Sequence, residues 1–569
     1  MENIFEQRCD EGFIRSRPAG APCVPASEPW ILAATILGSS MAFIDGTVVN
    51  VALPALQRSF NATVLDVQWV VEAYALFLAA LLLAGGSMGD RFGRRFVFCF
   101  GVALFAVASA ACGLSQTVGQ LIIARALQGV GGALLVPGSL AIIGASFNED
   151  RRGQAIGTWS GFTAITAGVG PVMGGWLIEH VSWRAVFFIN LPFALVVLLI
   201  SSLHVPESRD DNANKGLDVW GVALATVGLG TLVYGLIESS RLGFGHPLVL
   251  ATLVGGALSL AAFIMVEAYS QNPLLPLALF RSRNFTGANL LTLFLYTALG
   301  GEMFFFPLNL IQVQGYSATA AGAALIPFIL IMFLLSRWSG GLVQRYGAKL
   351  PLVVGPGIAA LGYALFMIPG VGGTYWTTFF PGVVVLGLGM AVSVAPLTTT
   401  VMNAVAENQA GVASGVNNAV SRIAGLLGIA ILGIVMLHAF NHALDRHLAS
   451  MEITPEARRF IDNQRDRLAG VELPPSMDEG AQAVLREAID ESFVFGFRLV
   501  MMTAVGLALL SALSAWTMIE NKPLGNSTGH QAPPIHKTGR PSAIESERRI
   551  THNSSNRSST AQPPLRIVF

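Results

Sequence analysis

Long apolar segments dominate this 569-residue chain and limit what it can fold into. A helix needs about 20 apolar residues to cross the hydrocarbon core of a bilayer. Fourteen segments meet that requirement, and they begin near Ile31, Val67, Phe96, Gly119, Gln154, Trp183, Leu217, Pro247, Phe285, Ala318, Lys349, Tyr375, Ala410 and Ser492. With 53% hydrophobic and only 12% charged residues, the composition is typical of a membrane protein. The sequence predicts an all-α membrane protein with 14 transmembrane helices.

The distribution of basic residues predicts how these helices are oriented. In the short connections, twelve arginines and lysines follow even-numbered segments and three follow odd-numbered ones. Because positive residues favour the cytoplasmic side of a membrane, we expect both termini to be cytoplasmic. The formal net charge is zero, which argues against a nucleic-acid partner bound through a broad basic surface.

A polar motif follows the second apolar segment, and a weaker copy follows the tenth, about 250 residues later. The motif is Gly86-Ser87-Met88-Gly89-Asp90-Arg91-Phe92-Gly93-Arg94-Arg95, and the copy is Gly340-Gly341-Leu342-Val343-Gln344-Arg345-Tyr346-Gly347. We name residues 86–95 the latch. Glycines let helices approach, and Asp90 can pair with arginines or accept hydrogen bonds from a helix start. We expect a gating role for Gly86, Gly89, Asp90, Arg91, Gly93 and Arg94.

The repetition also predicts a domain organisation. Each copy lies two segments into a unit of six, which leaves segments seven and eight as an inserted pair. The predicted parts are a cytoplasmic tail (1–29), a six-helix bundle (30–203), the inserted helices with their flanking loops (204–284), a second six-helix bundle (285–519) and a cytoplasmic tail (520–569). Within the second bundle, we expect the outer loop 438–490 to form a short helical hairpin. The last tail lacks an apolar face and is expected to be disordered.

Several motifs resemble one known family. The latch resembles the loop between helices two and three of the major facilitator superfamily. The run Leu121-Ile122-Ile123-Ala124-Arg125-Ala126-Leu127-Gln128-Gly129 resembles the fourth-helix motif of its proton-coupled members. The run Gly170-Pro171-Val172-Met173-Gly174-Gly175 is similar to the fifth-helix motif of antiporters, with Thr166 where that motif begins with glycine. Close packing alone is the other explanation for these glycines.

Three further runs are similar to the fourteen-helix drug/proton antiporters of the EmrB and QacA type. They are Ile44-Asp45-Gly46-Thr47-Val48-Val49-Asn50-Val51-Ala52-Leu53-Pro54, Phe188-Ile189-Asn190-Leu191-Pro192 and Asp218-Val219-Trp220-Gly221-Val222-Ala223-Leu224. The resemblance covers roughly residues 30–520. It implies two six-helix bundles plus two inserted helices, and a gating or hinge role for Gly170, Pro171, Gly174 and Gly175.

The same resemblance implies a function. We expect proton-coupled efflux of lipophilic, cationic drugs or toxic compounds across a bacterial inner membrane by alternating access. The proton gradient would supply the energy, with no cofactor, no metal and no enzymatic activity. The expected partners are the small-molecule substrate, protons and the bilayer, while a periplasmic adaptor and the oligomeric state stay open.

Six ionisable residues lie inside the apolar segments, where charge is costly and function is therefore suspected. They are Asp45, Glu72, Arg125, Glu302, Arg422 and Arg498. A helical rise of about 1.5 Å per residue places Asp45, Glu72 and Arg125 at similar depth. Two carboxylates beside one arginine cannot all stay charged without strain. We expect Asp45 and Glu72 to carry protons and bind the substrate, and Arg125 to tune them.

Other roles stay open at this stage. Glu72 can instead form a structural ion pair with Arg125. Glu302 is a candidate substrate acid among aromatic residues or a glutamate at the outer interface. Arg422 can contact the substrate or pair with an acid across the bundles. For Arg498 we expect snorkelling to the outer surface.

Two catalytic or metal patterns are rejected. Gly85-Gly86-Ser87-Met88-Gly89 fits a hydrolase pattern but lies at the end of an apolar segment. His438 and His442, with Asp445 and His447 after them, have zinc-like spacing without a second motif. The rival functions are export of one metabolite, such as a siderophore, antibiotic or amino acid, and a transport-inactive membrane sensor or scaffold.

Overall fold

The computed structural model describes residues 27–209, 218–270, 273–406, 409–475 and 477–520. These residues contain 13 helices long and apolar enough to cross a membrane. A further apolar helix, Lys349–Leu365, has 17 residues, which lies at the lower end of the range that spans a bilayer. The all-α membrane fold with 14 helices is thereby confirmed. The predicted tails lie almost wholly outside the described residues.

We number these helices α1 to α14 in chain order. The first six are Glu28–Phe60, Val64–Phe92, Arg94–Leu114, Val118–Ser146, Glu149–His180 and Ala185–His204. The next two are Val219–Leu242 and Pro247–Tyr269. The last six are Arg283–Val313, Ala318–Gly340, Lys349–Leu365, Phe380–Asn403, Ala410–Ala449 and Glu479–Met518.

Contacts between helices divide them into two groups with a pair between. In the first group α4 packs against α2 and α3, and α1 packs against α5 and α6. In the second group α12 packs against α10 and α11, and α9 packs against α13 and α14. Helices α7 and α8 pack closely on each other, and α7 also contacts α2 and α13. The inserted pair is thus attached to both bundles through α7.

The outer segment differs from the predicted hairpin. Helix α13 continues to Ala449 and α14 already begins at Glu479, so these two helices extend into the region assigned to a loop. A short helix, Pro455–Asp462, and a 3₁₀ turn, Arg465–Gly470, lie between them. The reason is packing, because the extensions bury apolar side chains that include Phe440, Leu444, Leu485 and Ile489.

The two ends of the helical assembly are named for what they carry. The latch end contains residues 86–95, and the loop end contains the segment 450–478. At the loop end the two bundles touch. Glu179 of α5 accepts hydrogen bonds from the backbone N–H and the hydroxyl of Thr319 of α10, both at 2.7 Å. Gln312 donates to Gln57 at 2.8 Å.

Helices α5 and α10 separate toward the latch end. Gly175 lies directly against the backbone of Ala318, and Gly168 lies against Ile329. Gly161 is on the same face of α5, seven residues nearer the latch end, and a Cβ placed there would meet no atom within 4 Å. The bundles are therefore closed together at the loop end, while these two helices diverge at the other.

Candidate functional site

The first bundle buries an ion pair at its centre. Asp45 of α1 and Arg125 of α4 are 0% and 1% exposed, and one carboxylate oxygen of Asp45 accepts a short hydrogen bond from Nη1 of Arg125. The sequence predicts that these two residues lie at similar depth in the membrane, and in the structure they are in direct contact. A buried pair is tolerated only when further hydrogen bonds satisfy both partners.

Three polar side chains provide these hydrogen bonds. Gln128 donates to the second carboxylate oxygen of Asp45 at 2.8 Å and accepts from Arg125 at 2.6 Å. Asn190 of α6 approaches the same oxygen of Asp45 at 3.4 Å. Ser109 of α3 accepts from Asn190 at 3.0 Å and from Gln128 at 3.3 Å. We call Asp45, Ser109, Arg125, Gln128 and Asn190 the Asp45 site.

Arg125 is also held independently of Asp45. Its Nε donates to the backbone carbonyl of Val70 at 3.0 Å, and its guanidinium carbon lies 4.3 Å from the ring centre of Tyr74. A guanidinium over an aromatic face gains cation–π stabilisation that grows when the group is desolvated. The hydroxyl of Tyr74 in turn donates to the carbonyl of Ala42 at 3.1 Å. The arginine can therefore stay in place when the charge on Asp45 changes.

Glu72 does not join this site. It is 0% exposed, and neither of its carboxylate oxygens has a hydrogen-bond partner within the described residues. Val70 and Tyr74 point toward α4, and Glu72 lies on another face of α2. Gln68, one turn away, contacts α13 through the carbonyl of Ile429, and Trp69 contacts Tyr234 of α7. Glu72 thus faces the junction of α2, α7 and α13.

Glu302 lies inside the second bundle, not at an outer interface. It is 1% exposed, and both of its carboxylate oxygens lack a hydrogen-bond partner among the described residues. The Oη of Tyr363 on α11 is likewise without a hydrogen-bond partner there. The aromatic cluster expected near Glu302 is present, since Phe306 packs against Phe366 and Phe379.

The two remaining intramembrane arginines have different surroundings. Arg422 of α13 is half-buried. Arg498 of α14 is exposed at the loop end. It donates to the carbonyls of Ile368 and Pro369 at 3.3 and 3.0 Å, as expected for a side chain that reaches the surface.

The latch closes onto the segment after α6. Asp90 pairs with Arg94 at 2.7 Å, one helical turn away. Gly93 has φ +113°, a backbone conformation that favours glycine. The first amides of α3 bond to Glu207, which accepts from the backbone N–H groups of Arg95 and Phe96 at 3.0 Å each. Glu207, rather than Asp90, therefore caps this helix start.

Glycines bring helices together at two of the predicted motifs. In the latch region the closest approach is at Gly85, against the carbonyl of Ala133, whereas a Cβ on Gly86 would meet its nearest atom at 3.6 Å. In the fifth-helix motif, Gly170 and Gly174 lie against α1 at Thr47 and Val48. Gly175 and Pro171 lie against α10. The motif thus sits where α5 meets both its own bundle and the other one.

Two residues of the rejected zinc-like pattern lie against oppositely charged or acidic side chains. Asp445 pairs with Arg465 at 2.6 Å, and Nε2 of His447 lies 3.6 Å from a carboxylate oxygen of Glu491. Among the described residues, no group of three or more metal-ligating side chains could hold an ion. Outside the membrane-spanning helices, burial raises the pKa of Asp466, next to Arg465.

Sequence reasoning missed part of the Asp45 site. Gln128 and Asn190 both lie in runs that carry the family resemblance, but neither had an assigned role. Their proximity to Asp45 depends on how α1, α4 and α6 pack, and no spacing along the chain shows that. Glu207 was missed for the same reason, since it follows α6 and caps α3.

Comparisons with known proteins agree with this architecture. The profile of the Major Facilitator Superfamily matches residues 35–429. The chain is 35% identical over 507 residues to the tetracenomycin C resistance and export protein of Streptomyces glaucescens, covering 88% of this chain and 94% of the relative. It is 32% identical to the multidrug resistance protein Stp of Mycobacterium tuberculosis, covering 85% and 91%.

Solved structures share the fold at low sequence identity. A bacterial homologue of the human lysosomal transporter Spinster, in an inward-facing and unoccupied conformation, matches with TM-score 0.61 and 19% identity, covering 88% of this chain and 99% of that chain. The POT family transporter PepTSo matches with TM-score 0.56 and 15% identity, covering 87% and 98%. From its helices, its sequence motifs and these matches, this multi-pass membrane protein belongs to the Major Facilitator Superfamily.

Proposed function

We propose that this protein exports lipophilic, cationic compounds in exchange for protons by alternating access. The observation that carries the proposal is the Asp45 site, a buried carboxylate held by Arg125 and Gln128. The names of its relatives add support, since they describe antibiotic resistance or export: the tetracenomycin C protein, Stp and the puromycin resistance protein pur8 of Streptomyces alboniger, 33% identical over 497 residues.

The geometry suggests how a proton would act at Asp45. Protonation removes the negative charge, and with it the attraction to Arg125 and to a positively charged substrate. Arg125 keeps its contacts with the Val70 carbonyl and the Tyr74 ring, so the site does not need to collapse. A proton and a cation would therefore compete for one negative charge. Glu72 is a second proposed proton carrier at the junction of α2, α7 and α13.

Orientation follows from the positive residues near the latch. With the latch end in the cytoplasm of a bacterial cell, the closed loop end faces outward, and the diverging ends of α5 and α10 face inward. The substrate would then enter from the cytoplasm or from the inner leaflet of the membrane. Half-buried Arg422 of α13 would contact the substrate or balance its charge between the bundles. Opening at the loop end must break the bonds of Glu179 to Thr319.

The proton gradient would drive this exchange. The membrane potential contributes about 2.3 kcal/mol per elementary charge per 100 mV, so the number of protons exchanged per substrate sets the limiting concentration ratio. No cofactor is needed for such a cycle, because protonation of carboxylates supplies the energy coupling. A periplasmic adaptor is a further partner to test by co-purification.

The test is substrate-induced proton movement in vesicles containing the full chain. A lipophilic dye cation is added to the wild type, to Asp45→Asn and to Glu72→Gln, and released protons are followed with a pH-sensitive probe. We expect release by the wild type, loss in Asp45→Asn and reduction in Glu72→Gln. The matched control is Glu491→Gln, an exposed carboxylate at the loop end, which should behave as the wild type.

Absence of dye-dependent proton release in the wild type would contradict this proposal. It would favour the second candidate, export of one dedicated metabolite. The names of two relatives support that candidate, the tetracenomycin C protein and the cephamycin export protein CmcT of Amycolatopsis lactamdurans, 34% identical over 393 residues. Susceptibility profiling of a deletion strain would then separate broad from narrow export.

A further inference from the structure

A cavity of about 340 Å³ lies at the loop end, where the two bundles meet the segment 450–478. Its walls come from the last turns of α1, the π-helical turn Asn309–Val313 at the end of α9, residues 467–472 and the first turns of α14. It contains no residue of the Asp45 site or of the latch. This volume lies at the lower end of the range for small-molecule sites. We call it the outer cavity.

The walls of the outer cavity carry an excess of positive charge. Three arginines line it, Arg58 of α1, Arg467 of the 3₁₀ turn and Arg486 of α14, together with one acid, Glu472. Glu472 lies 3.7 Å from Arg467 and is mostly exposed. Neither Arg58 nor Arg486 forms an ion pair within the described residues. Because a cleft lined by charges of one sign attracts the opposite sign, the outer cavity favours an anion.

Backbone carbonyls hold two of these arginines without neutralising them. Nε of Arg58 donates to the carbonyl of Pro54 at 3.3 Å. The two Nη atoms of Arg486 donate to the carbonyls of Ala469 and Val471 at 3.0 and 3.2 Å. A guanidinium has five N–H donors, so both arginines retain donors for a ligand. Planar guanidinium groups bind carboxylates and phosphates through paired hydrogen bonds.

Two amides that line the outer cavity also have hydrogen-bonding capacity left. Gln312 of α9 donates to Gln57 of α1 at 2.8 Å. Nε2 of Gln57 and Oε1 of Gln312 then have no hydrogen-bond partner among the described residues. Gln57 is only 6% exposed, and buried polar groups nearly always have a partner. One donor and one acceptor beside the arginines suit a ligand that carries hydroxyl groups as well as an anionic group.

The backbone around the outer cavity is held in unusual conformations. Asn61 and Leu468 are the two non-glycine residues with positive φ in the described part of the chain, at 53° and 55°. Asn61 lines the cavity, and Leu468 lies between Arg467 and Ala469, which line it as well. Arg467 donates to the carbonyl and to the side chain of Asn61. Such conformations persist only where the surroundings fix them, and they cluster at ligand-binding sites.

The outer cavity depends on the closed loop end. Helix α1 belongs to the first bundle and α9 to the second, and the bond between Gln57 and Gln312 joins them across the cavity wall. Opening of the loop end would separate these helices and remove one wall from the other. A ligand that binds only one conformation shifts the equilibrium toward it. A ligand in the outer cavity would therefore keep the loop end closed.

We propose that the outer cavity binds a small organic anion, with a phosphate or carboxylate group and hydroxyl groups, and that this anion keeps the loop end closed. Arg58 and Arg486 bind the anionic group. Gln57 and Gln312 bind the hydroxyl groups. The anion arrives from the side of the membrane that the loop end faces. Binding is independent of the proposed function, and only its effect on export rests on that function.

The first experiment measures binding to the purified full chain in nanodiscs of phosphatidylcholine, by calorimetric titration with glycerol 3-phosphate. We expect saturable binding that weakens as sodium chloride is raised. Arg58→Gln and Arg486→Gln should each bind about tenfold more weakly, because each removes a charged hydrogen-bond donor. The matched control is Arg459→Gln, which should bind as the wild type does. Arg459 is exposed on the short helix Pro455–Asp462 and does not line the cavity.

Equal binding by the wild type and Arg58→Gln would overturn the proposal. Arg58→Gln decides the result if Arg486→Gln does not fold, because Arg58 is exposed and its Nε bonds only to a carbonyl of its own helix. Arg58→Lys keeps the charge and should bind with intermediate affinity, since an ammonium cannot form the paired hydrogen bonds of a guanidinium.

The headgroup of phosphatidylglycerol shares the chemistry of glycerol 3-phosphate, and a second set of nanodiscs separates the two sources. If glycerol 3-phosphate does not bind, but phosphatidylglycerol raises the thermal stability of the wild type and not of Arg58→Gln, the anionic group belongs to a lipid. Failure of both glycerol 3-phosphate and phosphatidylglycerol would overturn the proposal.

The second experiment asks whether the anion joins the two bundles. Hydrogen–deuterium exchange of the full chain is followed by mass spectrometry with and without glycerol 3-phosphate. We expect slower exchange with the anion in residues 57–62 of the first bundle and 309–313 of the second, in the wild type but not in Arg58→Gln. Slower exchange that is confined to one bundle would contradict the bridging role.

The third experiment tests the effect on export. Glycerol 3-phosphate is added on the loop-end side of vesicles in which the dye cation drives proton release. We expect slower release by the wild type and no change in Arg58→Gln. An unchanged rate in the wild type, despite binding, would overturn the conformational part of the proposal. If the wild type exchanges no protons for dye while calorimetric binding persists, the proposed function fails and the anion site stands.

Discussion

The first helix of each bundle carries a buried acid, and the two acids have opposite surroundings. In the first, Asp45 is fully buried and joined to Arg125, Gln128 and Asn190. In the second, Glu302 is equally buried with no hydrogen-bond partner among the described residues. Hydrogen bonds and a neighbouring opposite charge offset the cost of burying a carboxyl group. The structure provides them to Asp45 and not, among the described residues, to Glu302.

The same contrast appears at the latch end. In the first bundle Asp90 pairs with Arg94 at 2.7 Å. In the copy, Gln344 and Ala348 occupy the matching positions, so that pair cannot form. The positive-φ glycine is present in both. Both halves thus have the turn geometry, whereas only the first has the Asp–Arg pair.

The largest effect is expected at Asp45. Asp45→Asn leaves the buried charge of Arg125 without its counter-charge, which should cost about 3–5 kcal/mol of folding free energy. Thermal unfolding in detergent, followed by intrinsic fluorescence, measures this loss. The double variant Asp45→Asn, Arg125→Gln should regain most of the stability while remaining inactive. Equal stability of wild type and Asp45→Asn would remove the contrast between the bundles.

Gln128 should show the next largest effect. Gln128→Leu deletes hydrogen bonds to both charged members of the pair, and bonds to charged groups contribute about 1.5–3 kcal/mol each. We expect lower thermal stability and proton release that occurs at a different pH. The pH profile separates a tuning role from simple destabilisation, because a residue that only packs would leave it unchanged.

Replacing Glu302 should change the stability of the fold in the opposite direction. Glu302→Met replaces a partnerless buried carboxyl with an apolar side chain of similar size, which should stabilise the fold by about 1–3 kcal/mol. The same unfolding assay applies, with Asp45→Asn measured beside it. A loss of stability in Glu302→Met would mean that Glu302 has a stabilising partner, and the two bundles would then be alike.

The smallest effect is expected at the latch. Asp90→Asn removes a partly exposed pair one helical turn apart, and such pairs contribute about 0.2–1 kcal/mol. Gln344→Asp is the matched variant in the copy, and it should change nothing because Ala348 stands where an arginine would be needed. Unfolding at low and high salt distinguishes the two, since only the Asp90 pair is screened.

Much of this architecture could be predicted from local sequence. The fourteen apolar segments begin within a few residues of the observed helices, except that α14 begins at Glu479 instead of near Ser492. That error has a physical reason: charged residues such as Glu487 and Glu491 end the hydropathy signal, but Leu485 and Ile489 still pack against the extension of α13. Helical periodicity continues where membrane-like composition stops.

The sequence by itself determined the class of fold and the number of helices, and it singled out Asp45, Glu72, Arg125 and Glu302, all of which are buried, because charge inside a membrane is costly. Only the tertiary structure decided which of them meet. Asp45 and Arg125 are 80 residues apart and come into contact. Glu72 turns toward α7 and α13, and Glu302 is left without a hydrogen-bond partner among the described residues. Helix rotation sets these partners, and it depends on packing between distant segments that no single helix encodes.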